Sequence, residues 1–265
     1  MHYYPKISCP FLRVNPKDKV VDLNQYSDKY ADLLSNVEFS ATEKVDGKNT
    51  NIIYDGNDIR FEGHTDKTTW SPEEETWIKN KFINDGFIQM CEQQFGEKTV
   101  QFCGELIGPK IQNNIYKLDD YKFVVFDIKI NNVFVNRECV KDITDMLYMD
   151  SIDVYTGTLM FCAFNYTNIP NKFKEKDYSA SDPLYLTIKE WAEFMQSVDK
   201  QLFIGSRFNP NVEIEGFVIR PKYELVKSNS ERVIYKIKYK DVLGRSPRIS
   251  SENSNETPIV LQNRS

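Results

Sequence analysis

Short apolar runs bounded by polar turns recur along the chain and predict buried strands. Residues 50–54 and 59–62 flank the polar turn 55–58, which is a hairpin pattern. The apolar segments 122–130 and 159–164 are short and suit buried strands as well. The predicted strands are residues 39–45, 50–54, 59–62, 99–106, 122–130, 159–164, 213–221 and 232–241.

Other segments carry apolar residues at helical spacing. Ser71 can cap a helix, and Glu74, three residues later, completes a capping box. Thr187 and Glu190 repeat this spacing, and residues 137–148 have apolar side chains spaced for one helical face. Strands of uneven length mixed with helices predict an α+β fold of mainly antiparallel sheets.

The organisation of the chain is expected to be simple. We expect one domain over residues 1–241, and a short polar, disordered tail over residues 242–265, where Ser, Asn and scattered charges accumulate. No stretch approaches the ~18 consecutive apolar residues of a membrane helix. Residues 1–5 lack the basic and apolar regions of a signal peptide, so a cytoplasmic location is expected.

The cysteines point to the same compartment. The chain has five, at positions 9, 91, 103, 139 and 162, and none is arranged as C-x-x-C. Each lies among apolar neighbours, which favours buried, reduced thiols. With only two histidines and no paired ligands, a zinc site is not expected.

The net charge of the whole chain differs in sign from that of one of its regions. The formal net charge of -5 argues against a protein that coats nucleic acid. Residues 217–250, however, contain nine Lys or Arg and three Asp or Glu, a local net of +6. This distribution predicts local, salt-sensitive contact with nucleic acid rather than broad electrostatic coating.

The first candidate for chemistry is the segment EKVDGKN, residues 43–49. Lys44 followed by the turn-forming pair Asp46 and Gly47 places an amine at a strand end, where a phosphate can approach an open backbone. Taken alone, the segment favours an ordinary hairpin turn with a solvated lysine.

Two carboxylates lie in or next to apolar strands. Glu105 is embedded in FCGELIGP, residues 102–109, and Glu215 begins EGFVIRP, residues 215–221. Because a buried carboxylate is costly unless it is paired or bound to a ligand, both are candidate site residues.

Strand alternation adds two further candidates. In VVFDI, residues 124–128, it puts Phe126 on one face with Val124 and Ile128, and Asp127 on the other. Phe126 is then either a core residue or an aromatic platform for a base.

In VIYKIKYK, residues 233–240, the same alternation puts Lys236, Lys238 and Lys240 on one face and the intervening apolar residues on the other. The face is either a plain exposed surface or a pair of lysines that clamps one phosphate.

The order K-x-D-G-x-N, GELxGP, VFDI, EGFVIRP and KIK resembles the covalent nucleotidyltransferase superfamily of ATP-dependent ligases and capping enzymes. Within it, the chain is most similar to the phage-type RNA ligase 2 family, over about residues 38–241. The resemblance implies an α+β nucleotidyltransferase (adenylyltransferase) fold of mainly antiparallel sheets with flanking helices, ligase/ATP-grasp-like. It also implies the host cytoplasm as location if the chain is phage-encoded.

The resemblance implies an AMP-forming polyribonucleotide ligase that uses ATP and Mg²⁺, with Mn²⁺ able to substitute. A lysine attacks ATP to form lysyl-AMP, the adenylate passes to an RNA 5′-phosphate, and a 3′-hydroxyl displaces AMP. The implied catalytic residues are Lys44, Glu105, Glu215, Lys236 and Lys238. The same five residues are implied to bind the nucleotide, together with Glu43, Val45, Asn49, His64 and Phe126. Asp46, Glu105 and Glu215 are implied to hold the metal through water, and Asp127 and Arg220 to support the substrate end.

One position departs from the family pattern. After the hairpin the family has an arginine in a G-R-T-like segment, where this chain reads Gly63-His64-Thr65. Histidine is not permanently charged as arginine is. The departure leaves open the contribution of His64 to nucleotide affinity and to the substrate terminus.

Other readings of the same motifs remain. A DNA-nick ligase or a capping guanylyltransferase shares K-x-D-G but typically appends a further domain, for which about 24 residues after Asp241 leave no room. A pseudo-ligase that binds nucleotide or RNA without chemistry is the third reading. The RNA could be a nicked duplex, a single strand or a broken tRNA loop. A homo-oligomer or a partner protein could replace the family's C-terminal domain.

Overall fold

A computed structural model describes residues 4–15, 17, 18, 20–164, 173, 179–198, 202–249 and 257–259. The chain divides into two compact units. Unit 1 contains residues 4–5 and 46–152, and unit 2 contains residues 6–45 together with the described residues from 153 onward. The chain passes from unit 2 into unit 1 between Val45 and Asp46, inside the K-x-D-G motif.

The strands of the described residues are β1 (Phe11–Leu12), β2 (Asp22–Tyr26), β3 (Glu38–Glu43), β4 (Lys48–Tyr54), β5 (Ile59–Gly63), β6 (Val100–Ile107), β7 (Lys122–Ile130), β8 (Val133–Phe134), β9 (Asp150–Ser151), β10 (Leu186–Thr187), β11 (Leu202–Ile204), β12 (Gly216–Pro221), β13 (Tyr235–Lys238) and β14 (Thr257–Ile259). The helices are α1 (Lys29–Leu33), α2 (Pro72–Phe82), α3 (Asp85–Phe95), α4 (Arg137–Met146), α5 (Gly157–Phe164), α6 (Ile188–Val198) and α7 (Tyr239–Val242). None of these helices is long and apolar enough to cross a membrane.

Unit 1 is built on a six-stranded sheet in the order β5-β4-β6-β7-β8, with β9 pairing in parallel with β7. One face carries a core of apolar side chains that includes Ile52, Phe102 and Val125 and those of α2, α3 and α4. The predicted capping box of α2 is confirmed, since Ser71 accepts from the Glu74 backbone and Glu74 accepts from that of Ser71. The opposite face, called the polar face below, carries Asn49, Gln101 and Glu105 together with some apolar residues such as Ile53.

A β-bulge interrupts β7 at the VFDI motif. Cys103 pairs with Asp127, but its neighbour Gly104 pairs with Val125, so Phe126 is the extra residue. The phase of the strand therefore changes, and Val125 and Ile128 both join the core. The predicted alternation is wrong here: Phe126 does not share a face with Ile128, and Phe126 and Asp127 both lie on the polar side.

Unit 2 is built on a four-stranded antiparallel sheet in the order β10-β3-β12-β13. Its core face packs against α6, whose Trp191 and Phe194 are fully buried. The predicted box at the start of α6 is confirmed by reciprocal hydrogen bonds between Thr187 and Glu190. Two small sheets, β1-β2 and the parallel pair β11-β14, complete the unit.

Two sequence expectations change in unit 2. Residues 159–164 form part of helix α5 rather than a strand. β13 ends at Lys238, so Lys240 lies on the short helix α7 and is exposed instead of extending the lysine face.

Residues beyond 241, predicted as a polar tail, take part in the fold where they are described. Arg245 and Arg248 both pair with the fully buried carboxylate of Glu213, at 2.6 and 3.2 Å. Ile259 in β14 is also buried.

Candidate active site

Lys44 follows the last residue of β3, where the polar face of the unit 2 sheet ends. Its backbone N–H donates to the carbonyl of Gly216 at 2.9 Å, which ties it to the start of β12. Gly216 has φ of 157°, and a Cβ there would lie 2.1 Å from the carbonyl oxygen of Ile237, so this junction requires glycine. The Lys44 Nζ atom lies 2.5 Å from Oε2 of Glu215.

Lys236 and Lys238 lie on the same face as Lys44. In the register of the sheet, Val218 of β12 pairs with both Thr42 and Lys236, and Gly216 pairs with Lys238. Period-two alternation turns these lysines away from the core that holds the intervening apolar residues. Lys238 donates to Oε1 of Glu215, so that carboxylate binds two lysines at once.

The charges of this cluster affect each other. Burial disfavours ionisation of Glu215, but the ammonium groups of Lys44 and Lys238 outweigh it and hold the pKa of Glu215 below its ordinary value. Burial, followed by repulsion from Lys238 and Lys44, lowers the pKa of Lys236. The cluster thus concentrates positive charge around one shared carboxylate, which suits the binding of an anionic phosphate group.

Glu43 and Arg220 are placed differently from these lysines. The Glu43 side chain lies on the core side, where it accepts from Ser206 Oγ at 2.6 Å and from the Arg207 N–H at 3.1 Å. Burial raises the pKa of Glu43 to about 6 despite these bonds. Arg220 is also buried. It lies opposite Ser40 in the register of β12 and β3, near the end of β12 that is far from Gly216. Glu43 therefore anchors residues 206–207. Val45 is buried and is the last residue before the unit boundary.

In unit 1 the motif continues with Asp46 and Gly47. The Asp46 N–H donates to the hydroxyl of the buried Tyr116 at 2.8 Å. A Cβ at Gly47 would lie 2.6 Å from the carbonyl oxygen of Leu106, so the chain passes too close to β6 for any side chain. The glycine of K-x-D-G is thus required by packing, and the Asp46 backbone is fixed by a tyrosine that no motif indicates.

Asn49 and Glu105 are neighbours on the polar face of unit 1. They are direct partners in the antiparallel pairing of β4 and β6. The Oδ1 atom of Asn49 is buried and has no hydrogen-bond partner among the described residues. Because leaving a buried acceptor unbonded costs about 1–3 kcal/mol, this oxygen is suited to accept a hydrogen bond from a ligand.

Phe126 and Asp127 are joined by a residue that the sequence analysis missed. Tyr4 donates its hydroxyl to Oδ2 of Asp127 at 2.7 Å and packs edge-on against Phe126, with ring centroids 4.9 Å apart. Arg137 donates to the carbonyl of Phe126 at 2.9 Å and so fixes the bulge. Nothing in the sequence near Tyr4 signals this contact, since 123 positions separate it from Asp127.

His64 follows β5 directly and is exposed. The residue before it, Gly63, closes the strand against Thr68, whose side-chain atoms lie 2.1–2.3 Å from where a Cβ would be. His64 is thus held on a tight turn at the edge of the unit 1 sheet.

The family of the sequence bears on two groups of residues, the lysine cluster of unit 2 and the Asn49–Glu105 pair of unit 1. The sequence matches the RNA ligase family over residues 37–238, about three quarters of its length. This chain belongs to the RNA ligase family. The matched region begins just before β3 and ends at Lys238, so it contains both the lysine cluster and the Asn49–Glu105 pair.

Solved structures of Naegleria gruberi RNA ligase have the same fold as this RNA ligase family member. A variant with AMP and Mn is 14% identical, with a TM-score of 0.51 over 88% of this chain and 59% of that chain. An apo variant and a variant with ATP and Mn are each 14% identical, with TM-scores of 0.53 and 0.52 over 90% of this chain and 62% of those chains. The chain therefore spans about three fifths of the length of these structures. Among curated proteins, none matches its sequence.

The carboxylates of this RNA ligase family member are its candidate metal ligands. The described residues contain no group of three or more His, Cys, Asp or Glu side chains placed to hold a metal ion directly. Mg²⁺ commonly keeps several waters and meets a protein through only one or two carboxylates. The carboxylates of Asp46 and Glu105 in unit 1, and that of Glu215 in unit 2, are each of a type that contacts a hydrated ion through its waters, and the described residues offer no direct all-protein site.

Proposed function

We propose that the chain is an ATP-dependent RNA ligase of the phage-type RNA ligase 2 kind. It forms a lysyl-AMP intermediate on Lys44, transfers AMP to an RNA 5′-phosphate and joins that end to a 3′-hydroxyl. The observation that carries the proposal is the bonded group of Lys44, Glu215 and Lys238 on one sheet face, with Lys236 beside it, in a chain of the RNA ligase family.

In the first step the Nζ atom of Lys44 attacks the α-phosphorus of ATP. The nitrogen–phosphorus bond forms, the bond to pyrophosphate breaks, and the amine loses a proton, since only a neutral amine is nucleophilic. Lys236 and Lys238 contribute by stabilising the negative charge that develops on the α-phosphate oxygens. Glu215, bonded to Lys44 and Lys238, holds both side chains in position before the nucleotide enters.

The polar face of unit 1 supplies the groups that orient the nucleotide. Asn49 offers a buried acceptor without a partner among the described residues, and Glu105 lies next to it on β6. Phe126 offers an aromatic ring, which the bulge directs away from the core. By the family resemblance, Glu105 binds the ribose hydroxyls and Phe126 stacks on the adenine.

A divalent ion, Mg²⁺ or Mn²⁺, would neutralise phosphate charge when bound. By the family resemblance, Asp46, Glu105 and Glu215 would hold it through water. His64 replaces the family's arginine, so we propose that any contact it makes with ribose or phosphate is weaker, because an imidazole lacks the permanent charge and the forked donors of a guanidinium.

The second and third steps keep the same balance of bonds. The RNA 5′-phosphate attacks the phosphorus of lysyl-AMP, which restores the Lys44 amine, and the 3′-hydroxyl then displaces AMP to form a phosphodiester. By the family resemblance, Asp127 and Arg220 support the substrate end. Asp127 is fixed for such a role by its bond with Tyr4.

A sealing assay tests the proposal against its rivals. The chain is incubated with ATP, Mg²⁺ and 5′-phosphorylated RNA in nicked, splinted and single-stranded forms, with DNA strands as controls. We expect ATP-dependent joining of at least one RNA form and little joining of DNA. Joining of DNA in preference to RNA would indicate a DNA-nick ligase, and transfer from GTP would indicate a capping enzyme. Nucleotide or RNA binding without any joining would indicate a pseudo-ligase.

A further inference from the structure

A concave site lies on the polar face of unit 1, away from the Asn49–Glu105 pair. It is a cavity of about 220 Å³ at the far ends of β4, β5, β6 and β7. In the sheet register, its row of Ile53, Gln101 and Lys129 is four residues from the row of Asn49 and Glu105. At about 3.3 Å per residue the two rows are roughly 13 Å apart.

The side chains around this cavity are almost all polar. Arg60 and Lys129 are cationic, Glu62 is anionic, and Thr99, Gln101 and Asn132 supply hydroxyl and amide groups. The lining therefore has a formal net charge of +1 in a chain whose net charge is -5. Such a set suits a ligand that has both a phosphate and hydroxyl groups.

The cations in the cavity differ in how firmly they are held. Lys129 is 5% exposed, and its Nζ atom lies 4.8 Å from the centre of the Phe134 ring, so it is part of the floor. Arg60 is half exposed and pairs with Glu62 at 3.1 Å and with Asp55 at 3.5 Å. Because exposed ion pairs contribute only about 0–1 kcal/mol, the Arg60 guanidinium can exchange these partners for a phosphate at small cost.

The size of the cavity selects the kind of ligand. Sites for whole small molecules usually measure about 300–1,000 Å³, so this one takes a fragment of a larger ligand. One ribose-phosphate unit of an RNA strand has the required size, phosphate and hydroxyls. We propose that this cavity is a subsite for one ribonucleotide of the RNA substrate, with its phosphate on Arg60 and Lys129. The inference rests on the proposed function, because it takes RNA as the substrate.

The test measures RNA binding separately from chemistry. Fluorescence anisotropy of a labelled, 5′-phosphorylated RNA is recorded without ATP for the full chain, for Arg60→Gln and for Asn132→Asp. Arg60 is half exposed, and Asn132 has a φ of 66° that aspartate also tolerates, so both variants should fold. Lys141→Gln and Gln94→Glu make the matched charge changes on α4 and α3, which pack on the opposite, core-bearing face of the sheet.

We expect both cavity variants to bind RNA about tenfold more weakly, because each removes or opposes a charge-assisted contact with phosphate. For Arg60→Gln, the plot of log affinity against log salt should also lose roughly 0.7 of its slope. The two controls should bind as the wild type does. RNA affinity in the cavity variants equal to that of the controls would overturn the subsite.

The outcomes also separate the subsite from the proposed function. If Lys44 is adenylylated and RNA is sealed but the cavity variants bind RNA normally, only the subsite is wrong. If the wild-type chain seals no RNA but binds it through Arg60, the proposed activity is wrong and the subsite stands. A wild-type chain that does not bind RNA overturns both.

Discussion

The polar faces of the two sheets prepare for a ligand in opposite ways. In unit 2, three lysines and Glu215 already bind or repel one another, and the carboxylate binds two ammonium groups. In unit 1, Asn49 keeps a buried acceptor without a partner among the described residues, and the neighbouring bulge is fixed by Tyr4 and Arg137. The unit 2 face carries an excess of positive charge around one carboxylate, while the unit 1 face carries a buried acceptor that has no partner among the described residues.

This difference indicates separate roles for the two faces. Three ammonium groups around one carboxylate leave a net positive charge, so phosphate oxygens can take the place of the carboxylate in charge-assisted hydrogen bonds. A buried acceptor without a partner instead raises the free energy of the ligand-free protein, and a ligand with a matching donor removes that penalty. We therefore propose that the unit 2 face stabilises charge in the reaction and that the unit 1 face recognises the nucleoside.

The largest expected effect is on the lysines of unit 2. Lys236→Ala and Lys238→Ala should each slow adenylylation of the protein by about 10²–10³-fold, as expected for loss of a group that stabilises transition-state charge. Lys240→Ala is the matched control, because Lys240 lies on α7 and is exposed. Rates are measured as incorporation of labelled AMP. Equal effects of all three substitutions would break the assignment of charge stabilisation to this face.

The next effect concerns stability and pH on the core side of the same sheet. The pKa of Glu43, raised by burial from 4.5 to about 6, means that folding favours its protonated form. The stability from this group is fully present below pH 4.5 and is lost as pH rises through about 6. Relative to Glu43→Gln, the unfolding free energy of the wild type should fall by about 2 kcal/mol in total from well below pH 4.5 to well above pH 6.

Denaturant unfolding at a series of pH values measures this change, with Glu97→Gln as the control at an exposed carboxylate. A difference between wild type and Glu43→Gln that stays constant with pH would show that Glu43 titrates normally.

The smallest expected effect sharpens the contrast on unit 1. Asn49→Ala should lower adenylylation about tenfold without lowering thermal stability, since its Oδ1 atom has no partner to lose within the described part of the chain. Asn51→Ala is the comparison: Asn51 is fully buried and accepts from Gln101 at 3.1 Å. That change should reduce the unfolding free energy by about 1–2 kcal/mol. Thermal unfolding of both variants distinguishes them, and a large loss of stability in Asn49→Ala would assign that residue a structural role.

Local signals in the sequence predict much of this fold. The hairpin of β4 and β5, the capping boxes of α2 and α6, and the limits of β7 are confirmed, because each depends on residues close together in the chain. The lysine face of β13 is confirmed as far as Lys238 for the same reason. The α+β fold with antiparallel sheets is confirmed too.

What the sequence does not reveal depends on distant contacts. The bulge at Phe126 arises from pairing with β6, so alternation within β7 alone gives the wrong face for the residues around it. Residues 159–164 are apolar enough for either a strand or a helix, and apolar runs this short do not separate the two. Tyr4, Tyr116 and Ser206 support site residues from 70 to 163 positions away, so no spacing rule could identify them.

The most direct test of the account is the identity of the adenylylated residue. The full chain is incubated with [α-³²P]ATP and Mg²⁺, separated under denaturing conditions and mapped by peptide. We predict one labelled peptide that contains Lys44, no label in Lys44→Ala, and normal labelling in Lys240→Ala. Label retained in Lys44→Ala, or mapped to another residue in the wild type, would contradict the account.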